Sequence, residues 1–319
     1  MRSTRSGTDR AVRIIGDGVA GLLVAAELRR RAITAFVVGE GAEPPPGVTA
    51  LVHPFAGRSL EMAPEVVLAW RAAAPVLERF VEQGRATRNE MRRPLDGEAG
   101  RRLLRSFERD PKGLGDEWGV EVVDDRGLGP CLRYEPAFGV DMGAALRALR
   151  ADVSTEAAPF DVTVLAVGAR LSEWLEGDDL RVFGGELVVV DGSVPTAMSG
   201  RGVHVVPTLS GAACAGATWW AAADRPSPQE AAEDIVARLE RLIGARPLVR
   251  TTWSGRRSVY QPDRRPLVGW LDAHTLVAGA LGSRGWLWAP LIATQVADAL
   301  QGLPLFPGLD VARTSLRLR

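Results

Sequence analysis

The sequence predicts an α/β fold with a buried parallel sheet, and three stretches carry that prediction. Residues 11–15 (AVRII) form a short apolar run that stops at a glycine, the pattern of a strand covered on both faces. Residues 16–31 then set a G-x-G-x-x-G triplet at the head of an amphipathic, basic-ended helix. Near the other end, residues 274–302 repeat the order of strand, glycine turn and apolar helix.

The first unit is the most specific. Gly16, Gly18 and Gly21 lie between a strand and a helix read at 22–31, and Ala35–Val38 reads as the next strand. In that context the triplet is a dinucleotide fingerprint. Gly16 permits the tight turn, Gly18 lets a diphosphate approach the backbone, and Gly21 lets helix and strand pack closely. Val19 and Ala20 complete the turn, and the free N–H groups of the helix start hold the phosphates. Such a site also wants an acid after the second strand, for the ribose hydroxyls. Glu40 is there, 24 positions after Gly16, but a gapless reading puts Gly39 at the usual acidic position. Either the strand carries a bulge or the ribose contact differs.

Further along, residues 61–136 read as mostly helical, beginning with APEVVLAWRAAAPVLERFVEQG. Residues 227–244 read as a helix with a Ser-Pro start, acids in its first turn and a closing glycine. Residues 274–278 read as a strand entering a glycine turn, and a helix follows from Gly285 with Pro290 tolerated in its first turns.

Composition narrows the function classes. At 319 residues and 46% hydrophobic, the chain can build one large domain or two intimately joined ones. Lys+Arg and Asp+Glu are both 39, so net charge offers no general handle for nucleic acid or an anionic membrane. Arg85, Arg88, Arg92, Arg93, Arg101, Arg102, Arg105 and Arg109 form a local basic stretch, whose ordinary reading is a solvated helix face. Cys131 and Cys214 are in no metal or redox spacing, which fits a reduced cytoplasmic protein. His53, His204 and His274 are scattered, which argues against a zinc site, and no metal is expected. No apolar run approaches the ~18 residues a membrane span needs. Residues 1–10 read as a frayed tail, not a signal peptide.

Blocks along the chain, in order, resemble the FAD-dependent oxidoreductase family of D-amino acid oxidase, glycine oxidase and sarcosine oxidase. They are IIGDGVAG (14–21), ALVHPFAGR (50–58), FDVTVLAVGARLSEWL (160–175), GGELVVV (184–190), HVVPTLSGAACAGATWW (204–220), WSGRRSVYQPDRRPLVGWL (253–271) and LVAGALGSRGWLWAPLIATQVADALQG (276–302). The last block most resembles the FAD-dependent half of the bifunctional bacterial enzyme that modifies the tRNA wobble uridine.

The resemblance implies a Rossmann-like FAD-binding domain joined to an α+β substrate domain, D-amino acid oxidase-like and trimmed. The FAD domain would be discontinuous, about 10–60, 137–180 and 257–319. The substrate domain would take about 61–136 and 181–256. Cofactor contacts are then expected from Gly16, Gly18, Val19, Ala20, Gly21 and Glu40, and from Ala50, Leu51 and Val52 on the segment running toward the flavin ring. Ala166, Val167 and Gly168 would form a small-residue turn over FAD. Gly282, Ser283, Gly285, Trp286 and Leu287 would bring the last helix to the pyrimidine edge of the flavin, where its dipole favours the charge of the reduced ring. Family members with covalent flavin use a cysteine just before the proline-aspartate turn; Val259, Tyr260 and Gln261 stand here, so FAD is expected to be noncovalent.

For catalysis, Arg284 would sit by the substrate mouth, where a guanidinium can fork onto a carboxylate. Arg257 matches the family's carboxylate-gripping arginine if one residue is inserted before Asp263; without the insertion Ser258 takes the place, and Arg256 is a neighbouring substitute. His53 is expected near the ring, or as a buried hydrogen-bonded histidine. The implied chemistry is hydride transfer from the α-carbon of a neutral amine to flavin N5, then hydrolysis of the imine, with no protein acid or base required. Trp219, Trp220, Trp286 and Trp288 are candidates for dry walls or for core. Two departures stand out: EPPPGVTA (43–50) replaces the family's Ala-Ser-Gly segment, and only residues 149–160 link a helix to a strand where the family places several strands, which implies a more exposed adenosine. Three functions follow as expectations: a flavin oxidoreductase for a small amine or amino acid, the same chemistry on a carboxymethylaminomethyl-uridine of tRNA docked by the 85–109 stretch, and a degenerate non-catalytic relative.

Overall fold

Val12–Ile15 is the pivot of the first sheet, since Val12 and Ile14 are fully buried and strands flank it on both sides. The computed structural model describes residues 11–40, 43–55, 60–156, 158–221 and 224–319. The stretch read as a tail, and residues 56–58 of the block at 50–58, lie outside the described residues. The first sheet has five strands in the order Leu267–Trp270, Thr275–Gly279, Val162–Leu165, Val12–Ile15, Ala35–Val38. The last four run parallel, with Val12 opposite Ala35 on one side and Val162 on the other, and Leu267–Trp270 closes the sheet antiparallel. All of Val162–Leu165 is buried, as expected of a parallel strand with both faces covered.

Helix Val19–Arg30 follows the glycine turn and packs against helix Gly285–Leu300. The latter is buried on nearly every side, which is why its sequence is apolar throughout rather than in a stripe. The far ends of the two helices are fastened by Arg31, whose guanidinium meets Glu27 at 2.8 Å and Asp298 at 2.7 Å. Helix Pro64–Glu82 lies on the same closing helix, with Phe80 edge-on to Trp286 at 5.9 Å. No helix among the described residues is long and apolar enough to cross a membrane.

The second sheet has ten strands. Its main path runs Trp220–Ala221, Leu180–Val190, Ala213–Gly216, Val203–Pro207, Ala197–Gly200, Ala86–Pro94, Gly129–Asp141, Thr49–Val52. Val249–Tyr260 pairs along Leu180–Val190, and Glu121–Asp125 along Gly129–Asp141. Helix Pro228–Ile243 covers this sheet with Ile235, Leu239 and Leu242. It starts with a reciprocal Ser227–Glu230 capping box and stops at Gly244, whose φ is 75°.

Some elements differ from the sequence reading. The first helix starts at Val19, three residues before the expected apolar onset. Residues 61–136, expected to be mostly helical, also hold the strands Ala86–Pro94 and Glu121–Asp125 and the start of Gly129–Asp141. Ala86–Pro94 hides its alternation because the inward positions include Arg93 as well as Met91, so polarity does not track burial. Thr49–Val52 joins the ten-stranded sheet, and residues 152–161 hold no strand among those described.

Long strand Val249–Tyr260 ties the two sheets together. Ser258 Oγ donates to the Gly168 carbonyl at 2.9 Å, and the Gly282 N–H donates to the Ser258 carbonyl at 3.1 Å. The loops at the carboxyl ends of the parallel strands are thereby seated against the second sheet, and ligands of open α/β sheets bind at that end.

A side chain on Gly21 would put its Cβ 1.8 Å from the Gly16 carbonyl oxygen, whereas one on Gly18 meets nothing within 4 Å. Gly21→Ala is therefore expected to lower stability by at least about 1–3 kcal/mol, while Gly18→Ala stays within about 0.5 kcal/mol. Urea unfolding of the two variants checks this contrast.

Candidate functional site

Two helix starts meet at the site. Gly16 turns with φ +112°, and its missing Cβ leaves room for the Ala166 carbonyl oxygen, which would lie 2.3 Å away. The N-cap of the first helix is Gly18 and that of the closing helix is Arg284; neither start has a side-chain cap or an acid in its first turn. Elsewhere Asp110, Asp141 and Ser227 cap their helices with side-chain oxygens. Both starts therefore keep first-turn N–H groups and positive dipole ends available to an outside acceptor. They are adjacent, because a Cβ on Gly285 would sit 3.3 Å from Val19 Cγ1. This is a donor set for an anionic or electron-rich group, with open space above Gly18 to receive it.

Beside the closing helix lies a small cavity of about 60 Å³ lined by Ala50, Leu51, Val52, His53, Ser283, Arg284, Trp286 and Leu287. One wall comes from the second sheet and the other from the closing turn, where Gly282 takes φ +59°. Arg284 stands in this wall with its guanidinium 5.5 Å from the Trp288 ring centre. Burial alone pulls its pKa below the ordinary value. Trp288 is core, at 2% exposure, and Trp286 both lines the cavity and packs on Phe80.

His53 is held by Tyr134, whose hydroxyl lies 3.0 Å from Nδ1. The Tyr134 oxygen also engages the buried Arg93, which donates to the Phe55 carbonyl at 3.2 Å. Since an arginine only donates, the tyrosine oxygen accepts from Arg93, and its hydroxyl hydrogen can turn to Nδ1. Burial, then Arg93, His204 and Arg284, lowers the His53 pKa to about 3. Burial, and then Arg257, lowers His204 to about 4. Both residues are partly exposed, yet enough protein surrounds the rings for desolvation to dominate. Near neutrality His53 is a fixed neutral donor, not a base. Burial also pushes the Tyr134 hydroxyl up to about 12.

Arg257 lies on the second sheet. It stacks on Trp219 at 4.3 Å and donates to the carbonyls of Gly184 at 3.1 Å and Thr218 at 3.3 Å. Its Nε is buried with no hydrogen-bond partner among the described residues. Burial lowers its pKa, and Glu186 opposes that shift. Glu186 is itself fully buried and accepts from Thr218 Oγ1 at 2.6 Å, Trp220 Nε1 at 2.7 Å and Ser254 Oγ at 2.9 Å. Trp220 is thus anchored in a polar core network, while Trp219 is half-exposed. Arg256 points to the exposed side, and Ser258 is committed to the Gly168 carbonyl. Alternation along the strand leaves Arg257 as the inward guanidinium.

On the opposite flank Glu40 is 89% exposed and 3.7 Å from Arg170. The space expected for an acid at position 39 is filled from the glycine turn: a Cβ on Gly39 would lie 2.3 Å from the Asp17 carboxyl carbon. Asp17 is paired with Arg150 at 3.0 Å, and Glu43 joins both Arg150 at 2.9 Å and Arg147 at 2.8 Å.

The structure thus gathers Ala50 to His53 with Ser283, Arg284, Trp286 and Leu287 around one cavity, and Val19 with Gly285 at its edge. Ala166 and Val167 back the first glycine turn, and the Gly168 carbonyl accepts from Ser258. Arg257 is in neither set; only its field reaches the cluster, through His204. Sequence reasoning missed Tyr134, Arg93, His204, Glu186 and Asp17. The available signals were scarcity, since the chain has 2 tyrosines and 3 histidines, and an acid inside the glycine triplet. The arginine-rich stretch divides between a strand and a helix, and Arg88, Arg92, Arg102 and Arg109 pair with Glu78, Glu90, Glu98 and Glu61.

Comparison with known proteins adds the following. Residues 125–299 match the family DAO, described as FAD dependent oxidoreductase. The chain is 28% identical to the tRNA 5-methylaminomethyl-2-thiouridine biosynthesis bifunctional protein MnmC of Maricaulis maris (strain MCS10), over 92% of this chain and 52% of that protein. It is 38% identical over 90 residues to the MnmC of Thiobacillus denitrificans (strain ATCC 25259 / T1), covering 26% of this chain and 15% of that protein. The chain therefore spans about half the length of the first relative, and its match to the second is shorter still. Among solved structures, glycine oxidase from Geobacillus kaustophilus superposes with a TM-score of 0.74 at 18% identity, covering 95% of this chain and 98% of that one. The dithionite-reduced L-alpha-glycerophosphate oxidase from Mycoplasma pneumoniae with FAD bound gives 0.70 at 15% identity, covering 93% and 95%. At those identities the superpositions establish the shared fold.

The two depressed histidines set the acid limb of stability. Below their ordinary value of 6.5 the unfolded chain takes up protons that the folded His53 and His204 refuse. Stability contributed by them is complete above that pH and is lost as pH falls toward about 4, at roughly 1.4 kcal/mol per pH unit for each histidine. Urea unfolding between pH 7.5 and 4.5 is expected to fall less steeply for His53→Asn than for the native chain; an unchanged slope would contradict a neutral His53.

Proposed function

The chain belongs to the DAO family of FAD-dependent oxidoreductases, and from that premise we propose that it oxidises the C–N bond of a small amine or amino acid in the cytoplasm. The observation that carries this reading is the meeting of two uncapped helix starts beside a cavity that holds Arg284. The residues present fit FAD, because the space above Gly18 and the free donors of both helix starts suit a diphosphate and an electron-rich ring. Bound FAD would supply the two-electron acceptor for oxidation of the substrate's C–N bond to an imine, which water would hydrolyse to carbonyl and amine.

The chain's own groups do the rest. N–H groups of residues 19–21 would hold the diphosphate. Residues 285–287 would bring the positive end of the closing helix to the ring, with Ala50, Leu51 and Val52 as a dry wall. Arg284, half-buried in that wall, orients a substrate carboxylate, and neutral His53 offers an Nε2–H donor. No side chain has to take a proton from a neutral amine. Binding is noncovalent: Val259, Tyr260 and Gln261 stand before the Asp263 turn, and Cys131 and Cys214 are free and buried elsewhere.

A second reading, the same chemistry on a modified uridine of tRNA, draws support from the names of the two sequence relatives. The internal pairing of the arginine-rich stretch weakens it as a docking surface. Under either reading the purified protein is yellow. A colourless protein that cannot be reconstituted with FAD would leave a non-catalytic relative. Anaerobic bleaching of the flavin across a panel of amines and amino acids selects the first reading, and salt-dependent tRNA binding the second.

Arg284→Ala is expected to raise KM for carboxylate substrates by about 10- to 100-fold while FAD content stays constant. Equal loss of both would remove Arg284 from substrate binding.

A further inference from the structure

Two tryptophans stand side by side at 219 and 220, and they are used in opposite ways. Trp220 pairs with Gly184 in the second sheet and sends its indole N–H to the buried Glu186 at 2.7 Å. Trp219 keeps 51% of its surface exposed. Its ring is nevertheless firmly seated. The Arg257 guanidinium lies 4.3 Å from the ring centre, and the Phe183 ring is 4.5 Å away at a tilt of 34°. Arg257 and Phe183 are direct cross-strand partners, so the indole lies across two side chains that stand together on one face of the sheet. Its other face is open.

The glycine pair in the facing strand makes room for this seat. A Cβ on Gly184 would stand 1.9 Å from the Trp220 ring. One on Gly185 would stand 2.3 Å from the Thr218 carbonyl oxygen and 2.7 Å from Arg257 Nη2. Glu186 then takes Thr218 Oγ1 and Trp220 Nε1, which fixes the residues on both sides of Trp219. Alternation puts Phe183, Gly185 and Leu187 on one face. Leu187 pairs with Gly216, and Gly216 with His204. Leu187 also packs against the cluster that contains Tyr134, whose hydroxyl meets His53. The open indole therefore stands on the face of the sheet that carries the histidines of the site.

Arg257 is poorly placed for the role that the family resemblance implies. Its Nη2 donates to the carbonyls of Gly184 at 3.1 Å and Thr218 at 3.3 Å, and its Nε is buried. Either way of forking onto a carboxylate would need Nη2. We propose that Arg257 is the pedestal of Trp219 rather than a carboxylate ligand, and that the open indole face stacks a flat, π-bonded ring of the substrate. The carboxylate is left to Arg284. This deepens the flavin reading, on which it rests for the reaction, by naming the substrate class: an amine that carries a planar ring, from an aromatic side chain or a nucleobase. Guanidinium charge beneath the indole draws electron density from the open face, which lessens π repulsion against an incoming ring.

The test is calorimetric titration of the purified chain with phenylglycine and with cyclohexylglycine, which share charge and size but differ in the flatness of the ring. The native chain is expected to bind phenylglycine about 3- to 10-fold more tightly. Trp219→Leu is expected to abolish that preference and Trp219→Phe to keep it. Arg257→Gln is expected to weaken it while leaving the preference for phenylglycine over phenylglycinamide unchanged; if that variant does not fold, the Trp219 pair decides. Uridine and the puckered dihydrouridine, titrated in parallel, identify the source of the ring. A Trp219-dependent preference among the amino acids supports an aromatic amine, and one among the nucleosides supports a base. No preference in either native pair, a preference that survives Trp219→Leu, or loss of the acid-over-amide preference in Arg257→Gln overturns the proposal. Flavin absorption of the same samples separates the two readings. A yellow protein without ring preference keeps the flavin reading and removes this one, and a colourless protein with a Trp219-dependent preference does the reverse.

Discussion

The close approach of Gly285 to Val19 is the constraint on which the architecture turns. A Cβ at 285 would stand 3.3 Å from the valine methyl, tight enough that the valine side chain would have to give by a few tenths of an ångström. Without it, helices from opposite ends of the chain begin side by side, and their dipoles add at one place rather than two. The sheet order makes this possible. Strands at 12–15, 162–165 and 275–279 are neighbours, so the loops leaving their carboxyl ends converge although about 150 and 110 residues separate them in sequence.

Around that point the charge is arranged with unusual asymmetry. Arg93, His204 and Arg284 all act on His53, and no carboxylate figures among the causes of the His53 shift. The fully buried Glu186 is kept in a separate network of hydroxyl and indole donors, where it steadies the region of Arg257 without an ion pair in contact. Keeping acids out of the cavity leaves the cationic wall to meet a ligand anion. The histidines answer the crowding of positive charge by staying neutral, the less costly form in a poorly hydrated place.

Local signals were legible and long-range ones were not. The glycine triplet, the strands on either side of it, the closing strand-turn-helix and the Ser227-capped helix could all be read because each depends on neighbours within a few residues. Residues 50–53 and 283–287 could be assigned to one site only through family resemblance; nothing in their spacing brings them together. The Arg93–Tyr134–His53 chain joins three separate segments, and Arg93 looks like one more surface arginine until Ala86–Pro94 is seen to turn it inward. Glycine at 39 was an anomaly visible in the sequence, but its cause, an aspartate standing in the same space, exists only in three dimensions.

Strand Val249–Tyr260 gives the two halves of the molecule a shared mechanical element. Arg257 anchors to Gly184 and Thr218 on the second sheet, and the very next residue bonds the Gly168 loop through its hydroxyl and the Gly282 turn through its carbonyl. The anchor of that guanidinium and the tether of both loops beneath the parallel strands are therefore one peptide unit apart. The seating of both loops depends on one residue of a strand that is itself paired along Leu180–Val190.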